Sequence, residues 1–216
     1  MIIAVDGPTA SGKGTIAKAL AAHFGLPHLD TGLLYRAVGW QVSLMGRDPD
    51  CEADALAAVD FPEDTLADPA LRSEACGGLA SKVSVHSAVR AALLARQRAF
   101  AEQPGGAVLD GRDIGTVIAP QAEAKLFVTA SVAARGQRRW LEMKQRGEIA
   151  SLEAIEADLA ARDLRDSMRT EAPLRQAEGA VLLDTSALDA PAAIAAAIAL
   201  VEEQRLAHSA ALQDTP

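Results

Sequence analysis

Residues 1–15 read Met1-Ile2-Ile3-Ala4-Val5-Asp6-Gly7-Pro8-Thr9-Ala10-Ser11-Gly12-Lys13-Gly14-Thr15. An apolar run leads into a glycine-bracketed turn, and Gly7 to Gly12-Lys13 has the GxxxxGK spacing. A strand, this turn and a following helix make a phosphate-binding loop. The chemistry calls for these residue types. Gly7 and Gly12 let the backbone bend and expose N–H groups to phosphate oxygens. Lys13 adds a mobile positive charge for the β- and γ-phosphates. A helix opening near Lys13 points the positive end of its dipole at the anion. A glycine-rich turn without a ligand is the plain alternative, and strand, spacing, lysine and helix together count against it.

Size and composition narrow the class. With 216 residues, half of them hydrophobic, the chain can bury a full core within one domain. Aromatics are only 3%, so that core is aliphatic and alanine-rich. A net charge of −8 argues against general nucleic-acid binding. The charge is uneven: residues 135–175 carry nine Lys or Arg against eight Asp or Glu, while the remainder carries twelve against twenty-one. Cations kept together in an acidic protein suggest a local anionic ligand, although an ordinary charged helix pair explains the charge alone. Cys51 and Cys76 are isolated, without a CxxC or Cys/His cluster, so idle thiols in a reducing compartment are expected rather than a structural metal. The stretch Met1 to Asp6 lacks the basic and apolar regions of a signal peptide. The longest apolar stretch, Ala190 to Val201, is too short to span a bilayer and ends in Glu202-Glu203. A cytoplasmic protein, with no membrane partner, is the expectation.

The pattern along the chain alternates strands and helices. Strands are expected at Ile2–Asp6, around His28-Leu29 up to Asp30, at Ala107–Asp110, Lys125–Thr129 and Ala180–Asp184. Helices are expected at about Lys13–His23 with Gly25 as C-cap, Thr31–Met45 ended by Gly46, Cys51–Val59, Leu71–Ser81, Ser87–Glu102, Val132–Gln145, Leu152–Met168 and Pro191–Arg205. Residues 60–70, acidic with two prolines, read as loop, and the tail after about His208 as frayed. Such alternation implies an α/β fold with a parallel sheet covered on both faces. Ligands in these folds sit at the carboxyl ends of the strands. The loop at residues 7–15, Asp30-Thr31 and Asp110–Asp113 would share that edge.

Three further groups carry charge to it. Asp30-Thr31-Gly32-Leu33-Leu34-Tyr35-Arg36 sets a hydroxyl and helix N-terminal amides beside an arginine one turn on, fit for a second phosphate or simply a Thr cap with a surface Arg. Asp110 ends an apolar strand and is followed directly by Gly111-Arg112-Asp113, in the manner of an acid that positions Mg²⁺ in phosphate-loop enzymes. In Arg162-Asp163-Leu164-Arg165-Asp166-Ser167-Met168-Arg169, a helix would put Arg162, Asp166 and Arg169 on one face. A solvated salt-bridge ladder is the alternative there.

Together these motifs resemble the bacterial cytidylate kinase family among the P-loop nucleoside monophosphate kinases, over nearly the whole chain. The Gly-Lys-Gly-Thr ending at residues 12–15 is similar to that group, whereas GTPases place Ser or Thr directly after the Lys. The resemblance rests on Asp6-Gly7-Pro8 with Ser11 to Thr15, Asp30-Thr31-Gly32 with Tyr35-Arg36, Val89-Arg90 with Arg96 to Phe100, Asp110 to Val117, Arg162-Asp163 with Arg165-Asp166, and Ala172-Pro173-Leu174. The Asp-Gly-Arg-Asp segment and the Arg-Asp-x-x-Arg-Asp helix are far more specific than the loop. The resemblance implies a P-loop NTPase three-layer fold as one kinase domain, with an acceptor-binding insertion over about residues 31–104 and a lid over about 140–165.

It implies transfer of the ATP γ-phosphoryl to CMP or dCMP with Mg²⁺, in a protein that is most simply a monomer. Gly7, Pro8, Thr9, Ala10, Ser11, Gly12, Lys13, Gly14 and Thr15 would hold the ATP phosphates, with Arg135, Arg138 and Arg139 near the lid. Ser81, Arg90 and Asp113 would read cytosine. Arg36, Arg112 and Arg169 would hold the acceptor phosphate, near Thr31. Arg162 and Asp166 would meet the ribose. Lys13, Arg112, Arg162 and Asp110 would carry the catalysis, and Thr15 and Asp110 would face the metal. Two features depart from the family pattern. Thr31 stands where Ser is usual, and the stretch from about Asp60 to Leu71 is shorter than in the longer bacterial members.

Other classes fit less well. A kinase for another small acceptor, such as shikimate, would need a different set from Arg90, Asp113 and Asp166. A GTP-dependent switch would need an Asn-Lys-x-Asp guanine reader, and none occurs. An idle nucleotide-binding protein would not need Lys13 and every arginine intact. His23, His28, His86 and His208 are scattered and suggest no role.

Overall fold

The computed structural model describes residues 1–213. In chain order the strands and α-helices are β1 (Ile2–Asp6), α1 (Lys13–Phe24), β2 (His28–Asp30), α2 (Thr31–Leu44), α3 (Glu52–Ala57), α4 (Glu74–Val83), α5 (Ser87–Ala101), β3 (Ala107–Gly111), β4 (Ala124–Thr129), α6 (Val132–Gln145), α7 (Leu152–Ser167), β5 (Val181–Asp184) and α8 (Ala190–Gln213). The chain divides into two compact units. The first comprises Met1–Leu29 and the chain from Ala101 onward, and the second Asp30–Phe100.

The first unit carries the sheet, in the order β2-β3-β1-β4-β5. β1 runs parallel to both β3 and β4, and β4 parallel to β5, with Val5 opposite Asp110 on one side and Leu126 on the other. Strands buried on both faces read as continuous apolar runs, and β1 does. Ile3 and Val5 join Ile16, Leu20, Val108, Leu126, Val128, Leu183, Ala197 and Val201 in one cluster between the sheet, α1 and α8. Ala4 and Leu109 point the other way and are as fully buried, so the sheet is covered on its second face as well. In register, Asp6 lies beside Gly111, so the segments leaving β1 and β3 emerge side by side.

The second unit is helical. The Asp30 carboxylate accepts from the Leu33 amide and caps α2, and Ser73 Oγ accepts from Cys76 N to cap α4. α2 and α4 cross at Gly39, where a Cβ would stand 2.7 Å from Leu79 Cβ.

Several boundaries differ from the sequence pattern. Residues 60–70 are not plain loop: they form 3₁₀ turns at Glu63–Ala67 and Pro69–Arg72. Pro69 fits a first helical turn, and the Asp68 carboxylate accepts from Ala70 N. Leu71 belongs to that turn, so α4 starts only at Glu74. α3 is shorter than expected, and α7 stops before Met168. Between β3 and β4 an unexpected π-helical turn covers Ile114–Ile118. The tail expected to fray from His208 is helical to Gln213, consistent with its alanine and leucine content, and residues 214–216 lie outside the described residues.

Gly39→Ala should overpack the α2/α4 crossing and destabilise the protein by about 1–3 kcal/mol, read from the urea midpoint of the second unit.

Candidate active site

The loop between β1 and α1 is built by its glycines and by what its carbonyls touch. A Cβ on Gly7 would lie 2.0 Å from the Val128 carbonyl oxygen, so only glycine fits there. Gly12, the residue before α1, is left-handed at φ 90°. Ala10 is also left-handed, at φ 60°, a strain of about 1 kcal/mol for a residue with a Cβ. The carbonyls are taken up by the protein. Pro8 O accepts from Lys13 Nζ at 3.4 Å, Thr9 O from Arg135 at 3.1 Å, Ser11 O from Thr185 Oγ1 at 3.0 Å and Gly12 O from Ile16 N at 3.0 Å. Ser11 Oγ is buried without a hydrogen-bond partner. A cradle of this kind, with its carbonyls anchored, fits a phosphate chain.

Asp110 stands beside it. Its Oδ2 lies 3.7 Å from where a Cβ of Gly14 would be, against the first turn of α1. His28 Nε2 lies 2.7 Å from Asp110 Oδ1. Both side chains are largely buried. Thr15 is exposed in the same turn. Among the described residues no group of three or more His, Cys, Asp and Glu could hold a metal ion. One carboxylate and one hydroxyl beside a phosphate cradle nonetheless suit Mg²⁺, which binds through one or two carboxylates, phosphates and water.

Arginines tie this loop to α7. Arg112 donates through Nη2 to Thr9 Oγ1 at 2.6 Å and through Nε to Asp166 Oδ2 at 2.7 Å. Arg169 Nη2 lies 3.4 Å from the other Asp166 oxygen. Burial alone would raise the Asp166 carboxyl, but the charges of Arg112, Arg169 and Lys13 and the Arg112 hydrogen bond outweigh it and hold it below the usual carboxylate value. Arg135, 3% exposed, reaches the Thr9 and Ala130 carbonyls and grips both oxygens of Asp163. Arg138 donates to Thr185 Oγ1 and to the carbonyls of Thr185 and Leu188. Arg139 pairs with Glu142.

Arg162 and Asp166 lie one turn apart on α7 and are both buried, and Arg169 approaches Asp166 from beyond the helix end. Arg162 meets Asp158 at 2.8 Å one turn back, Asp166 meets Arg112 of the β3 segment, and Arg169 lies beyond the end of α7. Gly136 sits inside α6, where a Cβ would be 2.6 Å from Glu156 Cγ of α7. Its role is close helix packing. Gly147 is left-handed at φ 77° just past α6.

Asp113 follows two residues after β3 and is 4% exposed. Its carbonyl accepts from Val117 N and Ile118 N, which begins the π turn.

In the second unit Thr31 is buried at the start of α2. Arg36 Nη1 donates to the Leu71 and Ser73 carbonyls at 2.7 and 3.1 Å. The Arg90 guanidinium carbon lies 5.8 Å from the Tyr35 ring centroid, a cation–π distance, and Arg90 is buried. Ser81 lies in α4, with its carbonyl accepting from Ser84 Oγ.

Sequence reasoning passed over His28 and Thr185. Their partners, Asp110 and Ser11, are 82 and 174 residues away in the chain, so no local pattern could have signalled them.

The family model for cytidylate kinase matches residues 3–203. This chain belongs to the cytidylate kinase family. A cytidylate kinase of Xanthobacter autotrophicus is 58% identical over 205 residues, covering 95% of this chain and 99% of that one. Cytidylate kinases of Rhodopseudomonas palustris and Methylocella silvestris are 56% and 55% identical over 95% and 94% of this chain, and over 98% and 94% of theirs. In fold, the crystal structure of an uncharacterized protein from Eubacterium ventriosum matches with a TM-score of 0.52 at 14% identity, over 94% of this chain and 98% of that one. Family membership makes the chain a phosphotransferase enzyme with nucleotide substrates, and the family implies ATP as phosphoryl donor. No helix among the described residues is long and apolar enough to cross a membrane.

Asp166→Asn, which leaves Arg112 and Arg169 beside an uncharged group, should destabilise the protein by about 3 kcal/mol at pH 7. Because the folded carboxyl titrates below its ordinary value of 3.8, this contribution is complete above that value and lost as pH falls below it. The gap between wild-type and variant urea midpoints should therefore close on acidification below about pH 4.

Proposed function

We propose that this protein transfers the γ-phosphoryl group of ATP to CMP and dCMP, giving CDP or dCDP and ADP, in the cytoplasm and as a monomer. The observation that carries the proposal is Arg112. One guanidinium bridges the phosphate loop, at Thr9, and the Arg-Asp-x-x-Arg-Asp helix, at Asp166. An arginine so placed is at hand for phosphate charge on either side of a transfer.

The chemistry needs little covalent help from the protein. Two anionic nucleotides must be brought in line and the charge on the moving group neutralised. The acceptor phosphate oxygen is already a nucleophile, so no general base is demanded. Residues 7–15 bind the triphosphate through backbone amides, with the Lys13 ammonium on the β- and γ-phosphates. Arg112 and Arg169, with Arg36, hold the acceptor phosphate, for which the bidentate fork of arginine is suited. Arg162 and Asp166 are assigned to the ribose. Arg135 braces the loop through the Thr9 carbonyl while gripping Asp163 of the lid helix. Arg139 serves the ATP side.

Mg²⁺, held through Asp110 and Thr15 with His28 orienting Asp110, would neutralise charge on the β- and γ-oxygens. Closure of the α6–α7 lid would exclude water from the transfer.

Base selection follows from hydrogen-bond polarity. The Asp113 carboxylate accepts from the exocyclic amine of cytosine, while Arg90 donates to the ring carbonyl and N3, with Ser81 alongside. Uracil presents a carbonyl to Asp113 and is disfavoured.

The deciding experiment is an ADP-release assay with Mg-ATP against CMP, dCMP, UMP, AMP, GMP, dTMP and shikimate. Turnover with CMP and dCMP well above the others is expected. Turnover mainly with another acceptor would keep the kinase and discard the base assignment. Asp113→Asn should lower the CMP-over-UMP ratio of kcat/KM by about 10-fold or more, the cost of an unmatched polar group in such a site. His28→Ala should raise the Mg²⁺ concentration for half-maximal rate on the order of 10-fold, the usual effect of losing an outer partner of a metal ligand, while leaving the KM for CMP unchanged.

A further inference from the structure

Asp6 is the last residue of β1 and has no part in the roles assigned above. It is 3% exposed, and both its oxygens are engaged. Oδ1 accepts from the Ile114 amide and Oδ2 from the Gly115 amide, each at 2.8 Å. These amides open the π turn, whose own bonds run from Ile118 N to Asp113 O and from Ala119 N to Ile114 O. The first amides of any helical segment have no partner within it. Asp113, the residue before the turn, makes no capping bond with its own side chain. Asp6 therefore does the capping from another strand, 108 residues away in the chain.

The clamp is tight from the far side too. A Cβ on Gly115 would lie 3.0 Å from Ala177 Cβ and 3.5 Å from Asp6 Oδ2. Keeping a carboxylate here is costly. Burial pushes the Asp6 carboxyl up to about 7, against the pull of the two amides, and the Asp113 charge adds to the rise. A carboxylate that could be replaced by an apolar residue, were packing its only task, is retained where two backbone donors at the root of the Arg112-Asp113 segment need an acceptor.

We propose that Asp6 is a positioning residue for the acceptor: by clamping the Ile114 and Gly115 amides it aims Asp113 at the base and Arg112 at the acceptor phosphate. The inference rests on the proposed roles of Asp113 and Arg112. π turns inserted beside functional side chains are a recurrent device, and here the clamp supplies the reason this one holds its shape.

Asp6→Asn separates the possibilities. An amide side chain of the same size can accept from one backbone N–H but turns an NH₂ toward the other. The KM for CMP should rise, and the CMP-over-UMP ratio of kcat/KM should fall, each on the order of 10-fold, the effect of one buried donor left unsatisfied. The KM for ATP should stay within about 2-fold, since the loop's own ties are untouched. Hydrogen exchange of the Ile114 and Gly115 amides, protected in the wild type, should quicken in the variant. Gly115→Ala, which pushes the turn away with Asp6 intact, should move the same three readouts and serves if Asp6→Asn does not fold. Faster exchange with unchanged CMP selectivity would overturn the proposal, as would a rise in the KM for ATP alone, which would make Asp6 a support of the phosphate loop. A wild type that does not prefer CMP to UMP would instead overturn the base assignment, and the exchange measurement would still report on the clamp.

Discussion

The phosphate loop works because its carbonyls are occupied. A backbone turn carries as many acceptors as donors, and an anion site needs only the donors. Lys13, Arg135, Thr185 and the first turn of α1 take the carbonyls of Pro8, Thr9, Ser11 and Gly12. What is left for a ligand is the amides and the helix end. Such dipoles need no reorganisation when charge arrives, which is where electrostatic catalysis gains most. Gly7, wedged against the Val128 carbonyl, makes the loop possible sterically, and the tertiary hydrogen bonds make it selective for anions.

The same loop explains the density of buried charge around it. Asp6, Asp110, Asp113, Arg135, Arg162 and Asp166 are each less than 6% exposed. Burying a charge is expensive, and a buried ion pair is weak evidence for stability, because an apolar replacement of the same shape is often as good. Their presence points instead to a site. Thr9 is the junction: its hydroxyl meets Arg112 and its carbonyl meets Arg135, and these two arginines pair with Asp166 and Asp163 of one helix. A change in the loop at Thr9 is therefore felt at α7 through two ion pairs at once. This is a physical route by which binding of an anion at the loop and ordering of α7 can be coupled.

Much of this was legible in the chain because it is local. The spacing from Gly7 to Lys13, the apolar run of β1 and the αL glycine after α1 are each set within a few residues, and the observed strand and helix fall where periodicity puts them. The apolar β3 run ending in Asp110 and the charged segment behind it were readable for the same reason. The 3₁₀ turns near Pro62 and Pro69 were missed because proline reads as a break, while the capping by Asp68 that rescues a turn is a matter of side-chain geometry.

Sequence alone thus determined the class of fold, the phosphate loop and the family-specific charged motifs, since these depend on short-range periodicity, backbone freedom and residue type. Only the tertiary structure decided which charge meets which. Asp166 pairs with Arg112 of a distant segment, His28 comes to Asp110, and Asp6 caps a π turn that no local pattern announces. Those choices are made by the parallel register that sets Asp6 beside Gly111 and by the burial that makes any unpaired charge or amide costly. Neither is visible until strands far apart in the chain lie side by side.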